Sequence, residues 1–245
     1  MLVSVIIPTY NRFKFLLNCI KSIKEQNYNN IEIIVINDNS SEKDYYNHNW
    51  GDINIIHLDN DNSSRKIHGY PCIGYVRNKG IEIAKGKYIA FCDDDDIWLP
   101  NKLNIQIKYL ENSINKMICS DGLIGNGVYD KNKNYKIYNK EANYDLIKEI
   151  FIKRNYKLFE NGFPDVFDYN FIKNGHNCIV TSSVVVDKDI LNKIGNMPYK
   201  KFGEDAECWK NILKYTNCIY LKDEILFYYD LNHGEGQNHI QVQNH

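Results

Sequence analysis

Four consecutive carboxylates, Asp93-Asp94-Asp95-Asp96, follow the apolar run Tyr88-Ile89-Ala90-Phe91-Cys92. Two unit charges ~4 Å apart repel by about 1 kcal/mol in water and about 4 kcal/mol at an effective dielectric of 20. Such crowding at a strand end requires a cation among the carboxylates or protonation of some of them. All-oxygen ligands suit Mg²⁺, Mn²⁺ or Ca²⁺, and Mg²⁺ typically bridges a carboxylate and substrate phosphates. The competing reading is a solvated turn whose Asp96 caps a helix opening at Pro100. Placement directly after an apolar strand favours the metal.

Two more polar clusters sit in the same kind of place. Pro8-Thr9-Tyr10-Asn11-Arg12 follows the apolar run 3–7, and Asn37-Asp38-Asn39-Ser40 follows the run 31–36. Open α/β sheets bind ligands at the carboxyl ends of their strands, so three clusters at three such ends describe one binding edge.

The elements that must hold these clusters alternate. Strands are expected over 3–7, 31–36, 53–58 and 88–92. Helices are expected over 13–26, with Phe13, Leu16, Leu17, Ile20 and Ile23 on one face, over 74–84, and from Pro100 onward. This alternation implies an α/β fold with a mostly parallel sheet covered by helices. The second half is less regular. A strand is expected at 117–120, hairpin material over 122–140, a helix over 143–154, a strand over 178–186, a helix over 205–215 and a late strand over 225–229. The segment from His233 onward is polar and reads as a tail or lid. With no repeat and no linker rich in Pro, Gly or Ser, residues 1–245 read as one domain: a nucleotide-binding half (1–110), a mixed acceptor half (111–232) and the tail (233–245).

The bulk numbers exclude several classes. Hydrophobic content of 43% and charged content of 25% are those of an ordinary globular chain. Net charge is -1 and the lysines are spread, which argues against a nucleic-acid partner. Seven widely spaced cysteines without a CxxC pair fit neither a disulfide framework nor a zinc site, and point to a reducing, cytoplasmic setting. No stretch approaches the ~20 apolar residues of a transmembrane helix. A phosphate-cradling P-loop is absent, and PTYNR stands where sugar nucleotidyltransferases carry a glycine-rich loop.

Four segments, in order and at fitting spacing, resemble family 2 glycosyltransferases of GT-A fold. They are SVIIPTYNR (4–12), VINDNS (35–40), GYVRNKGIEIAKGKYIAFCDDDD (74–96) and GED (203–205). The bacterial spore-coat type looks most similar, since DNS stands where DGS is commoner. The resemblance implies a Rossmann-like nucleotide-binding sheet and an inverting, metal-dependent transfer of a sugar from a nucleotide-sugar, with a UDP-sugar as the expected donor, to an acceptor hydroxyl. Pro8, Thr9, Tyr10 and Arg12 fall in the nucleotide site, with Tyr10 stacking on the base. Asp38 accepts a hydrogen bond from the base, which suits uracil or thymine and leaves guanine open. Arg77 neutralises phosphate or approaches the base, and Asp93 and Asp94 meet the ribose side. Asp95, last of the DXD pattern Asp93-Asp94-Asp95, is the ligand of Mn²⁺ or Mg²⁺. Asp96 is an extra member that can shift this register by one. Asp205 is the general base, with Glu204 behind it. Against this stands a first-turn acid that stabilises the following helix by ~1 kcal/mol. Trp209, one turn on, is a sugar platform or a core residue. A late His, His233 or His239, is a candidate metal ligand. The acceptor is a sugar, a glycan or a protein. The alternative of another class is a catalytically inactive nucleotide-sugar-binding or scaffold protein on the same fold.

Overall fold

The structure is a computed structural model and describes residues 1–154 and 162–232. The proposed tail, with His233 and His239, lies outside the described residues. The elements run β1 (Val3–Thr9), α1 (Phe13–Lys24), β2 (Ile31–Asn37), α2 (Asp44–Asn47), β3 (Asn54–His57), α3 (Ser64–His68), α4 (Ile73–Ile83), β4 (Tyr88–Phe91), β5 (Ile97–Trp98) and α5 (Lys102–Glu111). They continue with β6 (Met117–Gly125), β7 (Lys136–Ile137), a π-helical turn (Tyr138–Ala142), α6 (Tyr144–Lys153), β8 (Val166–Phe167) and α7 (Tyr169–Asn174). A 3-10 turn (Thr181–Ser183), β9 (Val185–Asp187), α8 (Lys188–Ile194), α9 (Glu204–Ile212) and β10 (Cys218–Asp230) complete the chain.

One sheet runs in the order β3-β2-β1-β4-β9-β6-β10-β5, with β7 beside β6 and β8 beside β10. The first four strands are parallel throughout. Beyond β4 the sheet is mixed: β9 is antiparallel to both β4 and β6, while β10 runs parallel to β6. Strand periodicity sorts the core onto two faces. Val3, Val5 and Ile7 of β1 join the cluster containing Leu16, Cys19, Ile20 and Ile23 of α1, and Ile6 joins the cluster containing Val76 and Ile81 of α4. Helix α4 lies close on β1: a Cβ on Gly80 would stand 2.6 Å from Ile6 Cγ2, so only glycine fits this contact. All seven cysteines are free and buried, as small core side chains. No helix among the described residues is long and apolar enough to cross a membrane.

The strands and long helices expected in the parallel half are all present, with the short helices α2 and α3 added between them. The hairpin expected in 122–140 exists as the antiparallel pair β6–β7. Three expectations are corrected. The run 178–186 is a strand only at Val185–Asp187, because Ser183 N–H and Oγ both turn back to the Val180 carbonyl and wind a 3-10 turn instead. Pro100 does not open α5; the helix starts at Lys102 after Asn101, which takes a left-handed conformation (φ 69°). Asp96 does not cap that helix, as described below.

Lys102 is fully buried, a rare place for an amine. Its Nζ donates to Gln106 Oε1 at 2.7 Å and lies 4.2 Å from the centre of the Trp98 ring. Burial lowers its pKa to about 7, from 10.5. Between these values the native amine is neutral and the unfolded amine charged, so the unfolded chain binds more protons and stability rises with pH. The penalty is fully present below pH 7. Lys102→Met is therefore expected to flatten the rise in unfolding free energy between pH 7 and 10, about 1.4 kcal/mol per pH unit from this group. Paired denaturant titrations at pH 7 and 9 measure it; parallel pH dependences in the two proteins would contradict it.

Candidate active site

Strand order reverses between β1 and β4, since β1 leads outward to β2 and β3 on one side and β4 lies on the other. The crevice outside the carboxyl ends at such a reversal is the usual ligand site of an open α/β sheet. Here it is an open cleft. Pro8, Thr9, Tyr10, Arg12, Asp38, Asp93, Asp94 and Asp95 all line it. So do residues that the sequence did not single out, among them Arg65 and Tyr229.

The loops after β1 and β2 are laced together. Asn11 and Asn39 take left-handed conformations (φ 50° and 61°), which Asn tolerates better than most side chains. Asn11 N–H donates to Ser40 Oγ at 2.8 Å, and Asn11 Oδ1 accepts from Ser41 N–H at 2.7 Å. Below them buried Tyr45 shares a 2.6 Å hydrogen bond with Thr9 Oγ1 and accepts from Arg12 N–H. Asp38 anchors α3: its Oδ1 accepts from Ser64 N–H at 2.7 Å and its Oδ2 from Ser64 Oγ at 2.6 Å. Arg65, the next residue, places its guanidinium over the Tyr10 ring, 3.8 Å from its centre.

The four aspartates have four different settings. Asp93 accepts from Arg77 Nη2 at 2.6 Å. Asp94 is fully buried and lies 3.1 Å from Arg12 Nη2, yet neither of its oxygens receives a directed hydrogen bond. Burial pushes its pKa up to about 7, against the pull of Arg12. Asp95 accepts from Arg12 Nη1 at 2.8 Å. Burial works against the charge on Arg12, but Asp94, Asp95 and Asp93 outweigh it and hold the guanidinium protonated. Asp96 turns inward: its Oδ2 accepts from Ser182 Oγ at 2.5 Å and its Oδ1 from Asp230 N–H at 3.1 Å. Burial, with Asp95 and Asp93 adding to it, drives the Asp96 pKa well above the carboxylate range. Asp96 thus ties β4 to the 3-10 turn and to the end of β10.

Arg77 is placed behind the cleft. It is 2% exposed, with Nη2 on Asp93 and Nη1 on Glu204 Oε1 at 2.8 Å. This bridge fastens the start of α9 to the end of β4. Gly203 precedes α9 with φ 68°, a conformation that favours glycine. Asp205, second residue of α9, is partly exposed; its Oδ2 accepts from Thr181 Oγ1 at 3.0 Å, and a helix N-terminus favours its negative charge. Glu204 is buried against Arg77, and burial raises its pKa. Tyr138 and Tyr229 stand edge to face at 5.5 Å. Burial, Cys178 and the carboxylates of Asp96, Asp205 and Asp121 raise the Tyr138 phenol to about 12. Trp209 is fully buried against Phe91, so of its two readings the structure selects the core.

Removing one partner from a buried ion pair leaves an uncompensated charge, at about 3–5 kcal/mol. Arg77→Met is expected to destabilise the fold by that amount, since both Asp93 and Glu204 lose their partner. Chemical denaturation reads it; a change below 1 kcal/mol would show that the bridge carries no structural weight.

A parallel half with acidic and aromatic strand ends facing one cleft, continued by a mixed half whose helix α9 is bridged to the end of β4 through Arg77, is the architecture of a GT-A type glycosyltransferase. The Glycosyl transferase family 2 model matches residues 4–195, and the chain belongs to that family. Among curated proteins it is similar to glycosyltransferase GlyG of Streptococcus pneumoniae, with 27% identity over 93% of this chain and 70% of the relative. It is also similar to WfaP of Escherichia coli, named as a UDP-Glc:α-D-GlcNAc-diphosphoundecaprenol β-1,3-glucosyltransferase, with 30% identity over 86% of this chain and 70% of the relative. Among solved structures, S. aureus TarS 1-349 in complex with UDP-GlcNAc superposes with a TM-score of 0.61 at 19% identity, over 94% of this chain and 58% of that one. The mannosyltransferase PcManGT of Pyrobaculum calidifontis, in complex with GDP-Man and Mn²⁺, gives 0.62 at 14%, over 94% and 56%. The chain thus spans little more than half the length of these two structures, whose likeness is one of fold.

Proposed function

We propose that this glycosyltransferase moves a sugar from a UDP-sugar to an acceptor hydroxyl with inversion, in one domain whose first half holds the nucleotide and whose second half holds the acceptor. The observation that carries this reading is the Arg77 bridge. It brings the carboxylate-bearing start of α9 to the same end of the sheet as the donor cleft. The acceptor oxygen attacks the anomeric carbon, and its proton passes to the Asp205 carboxylate. The bond from the anomeric carbon to the diphosphate breaks, and its electron pair leaves on the phosphate oxygen. A single displacement of this kind inverts the anomeric centre. Asp93 and Asp94 face the ribose, Tyr10 and Asp38 meet the base, and Thr9 closes the floor beneath it.

Among the described residues no three His, Cys, Asp or Glu side chains converge on one metal-sized point. A cation held by one or two carboxylates and by substrate phosphates does not need three. The residues fit such an ion: the donors are hard oxygens, and Asp94 keeps two buried oxygens without a directed hydrogen bond. Asp95 is the proposed ligand of Mn²⁺ or Mg²⁺, with Asp94 beside it. When bound, the ion offsets charge growing on the leaving diphosphate. Arg12 supplies counter-charge to the same carboxylates.

The names of the relatives support a UDP-linked donor and an acceptor sugar carried on a lipid diphosphate. A reducing, cytoplasmic setting belongs to the same reading. Hydrolysis of a panel of UDP-, dTDP- and GDP-sugars, with Mn²⁺ present and no acceptor, tests the donor. Release of UDP from one UDP-sugar is expected; preference for a GDP-sugar would overturn the assignment of the base.

A further inference from the structure

The rim of the donor cleft carries an aromatic and basic surface that neither the fold nor the transfer chemistry uses. Helix α3 and the loop from 196 to 203 meet there. The His68 ring packs against Tyr75 and Tyr199 at 5.1 and 4.9 Å, and Tyr70 Oη donates to the Tyr199 carbonyl. Three large apolar side chains of this region remain half in solvent: Ile67 at 51%, Tyr199 at 52% and Phe202 at 50%. Clustered exposed apolar groups mark an interaction site more often than a bare surface.

The two stretches that carry them hold basic residues and no carboxylate. Neither 62–81 nor 190–203 contains an Asp or Glu, in a chain whose net charge is -1. Both stretches are basic: Lys66 and Lys201 are exposed, while Lys79 and Lys200 reach outside the stretches to pair with Glu82 and Glu207. Aromatic and aliphatic tips among lysines are what the boundary between water and an anionic bilayer selects.

We infer that this surface docks the protein on an anionic lipid bilayer. Arg65 of α3 lines the cleft, and Phe202 stands three residues before Asp205. A bilayer meeting Ile67, Tyr199 and Phe202 therefore lies beside the mouth through which donor and acceptor enter. The geometry suits an acceptor whose sugar stands on a lipid diphosphate, and in that respect the inference rests on the proposed function. Docking itself does not require turnover, so the two can fail separately.

Vesicle flotation of the full chain tests it, with phosphatidylcholine vesicles and with vesicles containing 30% (about one lipid in three) phosphatidylglycerol. Binding to the anionic vesicles is expected, falling as salt rises. Ile67→Glu/Phe202→Glu is expected to weaken it about tenfold or more, and Lys66→Gln/Lys201→Gln by about fivefold per lysine. UDP affinity and thermal midpoint should stay at the values of the parent chain. Because the second pair only neutralises exposed charge, it decides the matter should the first pair fold poorly. Absence of flotation, equal binding to neutral vesicles, or unchanged binding by the lysine pair would overturn the inference. Loss of a dimer in the glutamate pair, without vesicle binding by the parent, would assign the surface to a second copy instead.

Discussion

Asp205→Asn is expected to lower kcat by about 10²–10⁴-fold, the usual contribution of a general base, while UDP affinity changes by less than about twofold. Asn keeps the shape of the side chain and its hydrogen bond from Thr181 Oγ1, so the start of α9 should hold its place. It cannot take a proton from the acceptor. Asp205 does not line the donor cleft, and the Arg77 bridge reaches the sheet through Glu204. Binding of the nucleotide and removal of the proton are therefore separable in this chain. A structural first-turn acid would behave otherwise. Its loss would cost about 1 kcal/mol of stability and leave kcat nearly intact. Initial rates with saturating donor, alongside UDP titrations of both proteins, distinguish the two. The companion Glu204→Gln should instead affect stability more than rate, because Glu204 is buried against Arg77.

The second large effect is expected at Asp95. Asp95→Asn should reduce Mn²⁺-dependent UDP affinity by about 100-fold, comparable to or beyond the 10–100-fold that supporting groups of metal sites carry. The fold should survive the change, since Arg12 keeps Asp94 at 3.1 Å and Asp95 touches the cleft, not the core. If Asp95 served only to hold Arg12, the variant would melt earlier and bind UDP as before. Asp96→Asn provides the contrast. Asp96 faces Ser182 and the backbone of Asp230, away from the cleft, so its replacement should lower the melting temperature and spare the metal dependence.

The parallel half was legible because its signals are long. β1 and β2 are apolar runs broken only by Ser4 and Glu32 ahead of their polar ends, and α1 repeats its apolar residues at helical spacing. Elements of two to five residues carry no period, and α2, α3, β5 and β8 escaped for that reason. The strand expected over 178–186 shows the converse failure. β-branched residues dominate the run, but Ser183 bonds locally to the Val180 carbonyl, while the Thr181 hydroxyl serves Asp205 and the Ser182 hydroxyl serves Asp96 and Asp93. In the site, the sequence located which strand ends carry polar clusters. It assigned the four aspartates different roles only through the family resemblance, and did not reveal their settings, which depend on Arg12, Arg77, Ser182 and β10. Arg77 pairs with residues 16 and 127 positions away, a distance no local pattern encodes. Arg65 over Tyr10 and Tyr45 under Thr9 likewise had no motif to announce them.

The proposed function requires the cleft between β1 and β4 to bind a nucleoside diphosphate on a divalent cation. Isothermal titration of the protein with UDP, in Mn²⁺ and again in chelator, tests it most directly. One site is expected, whose affinity falls at least about tenfold when Mn²⁺ is removed. Equal affinity in Mn²⁺ and in chelator, or no heat of binding in either, would contradict it.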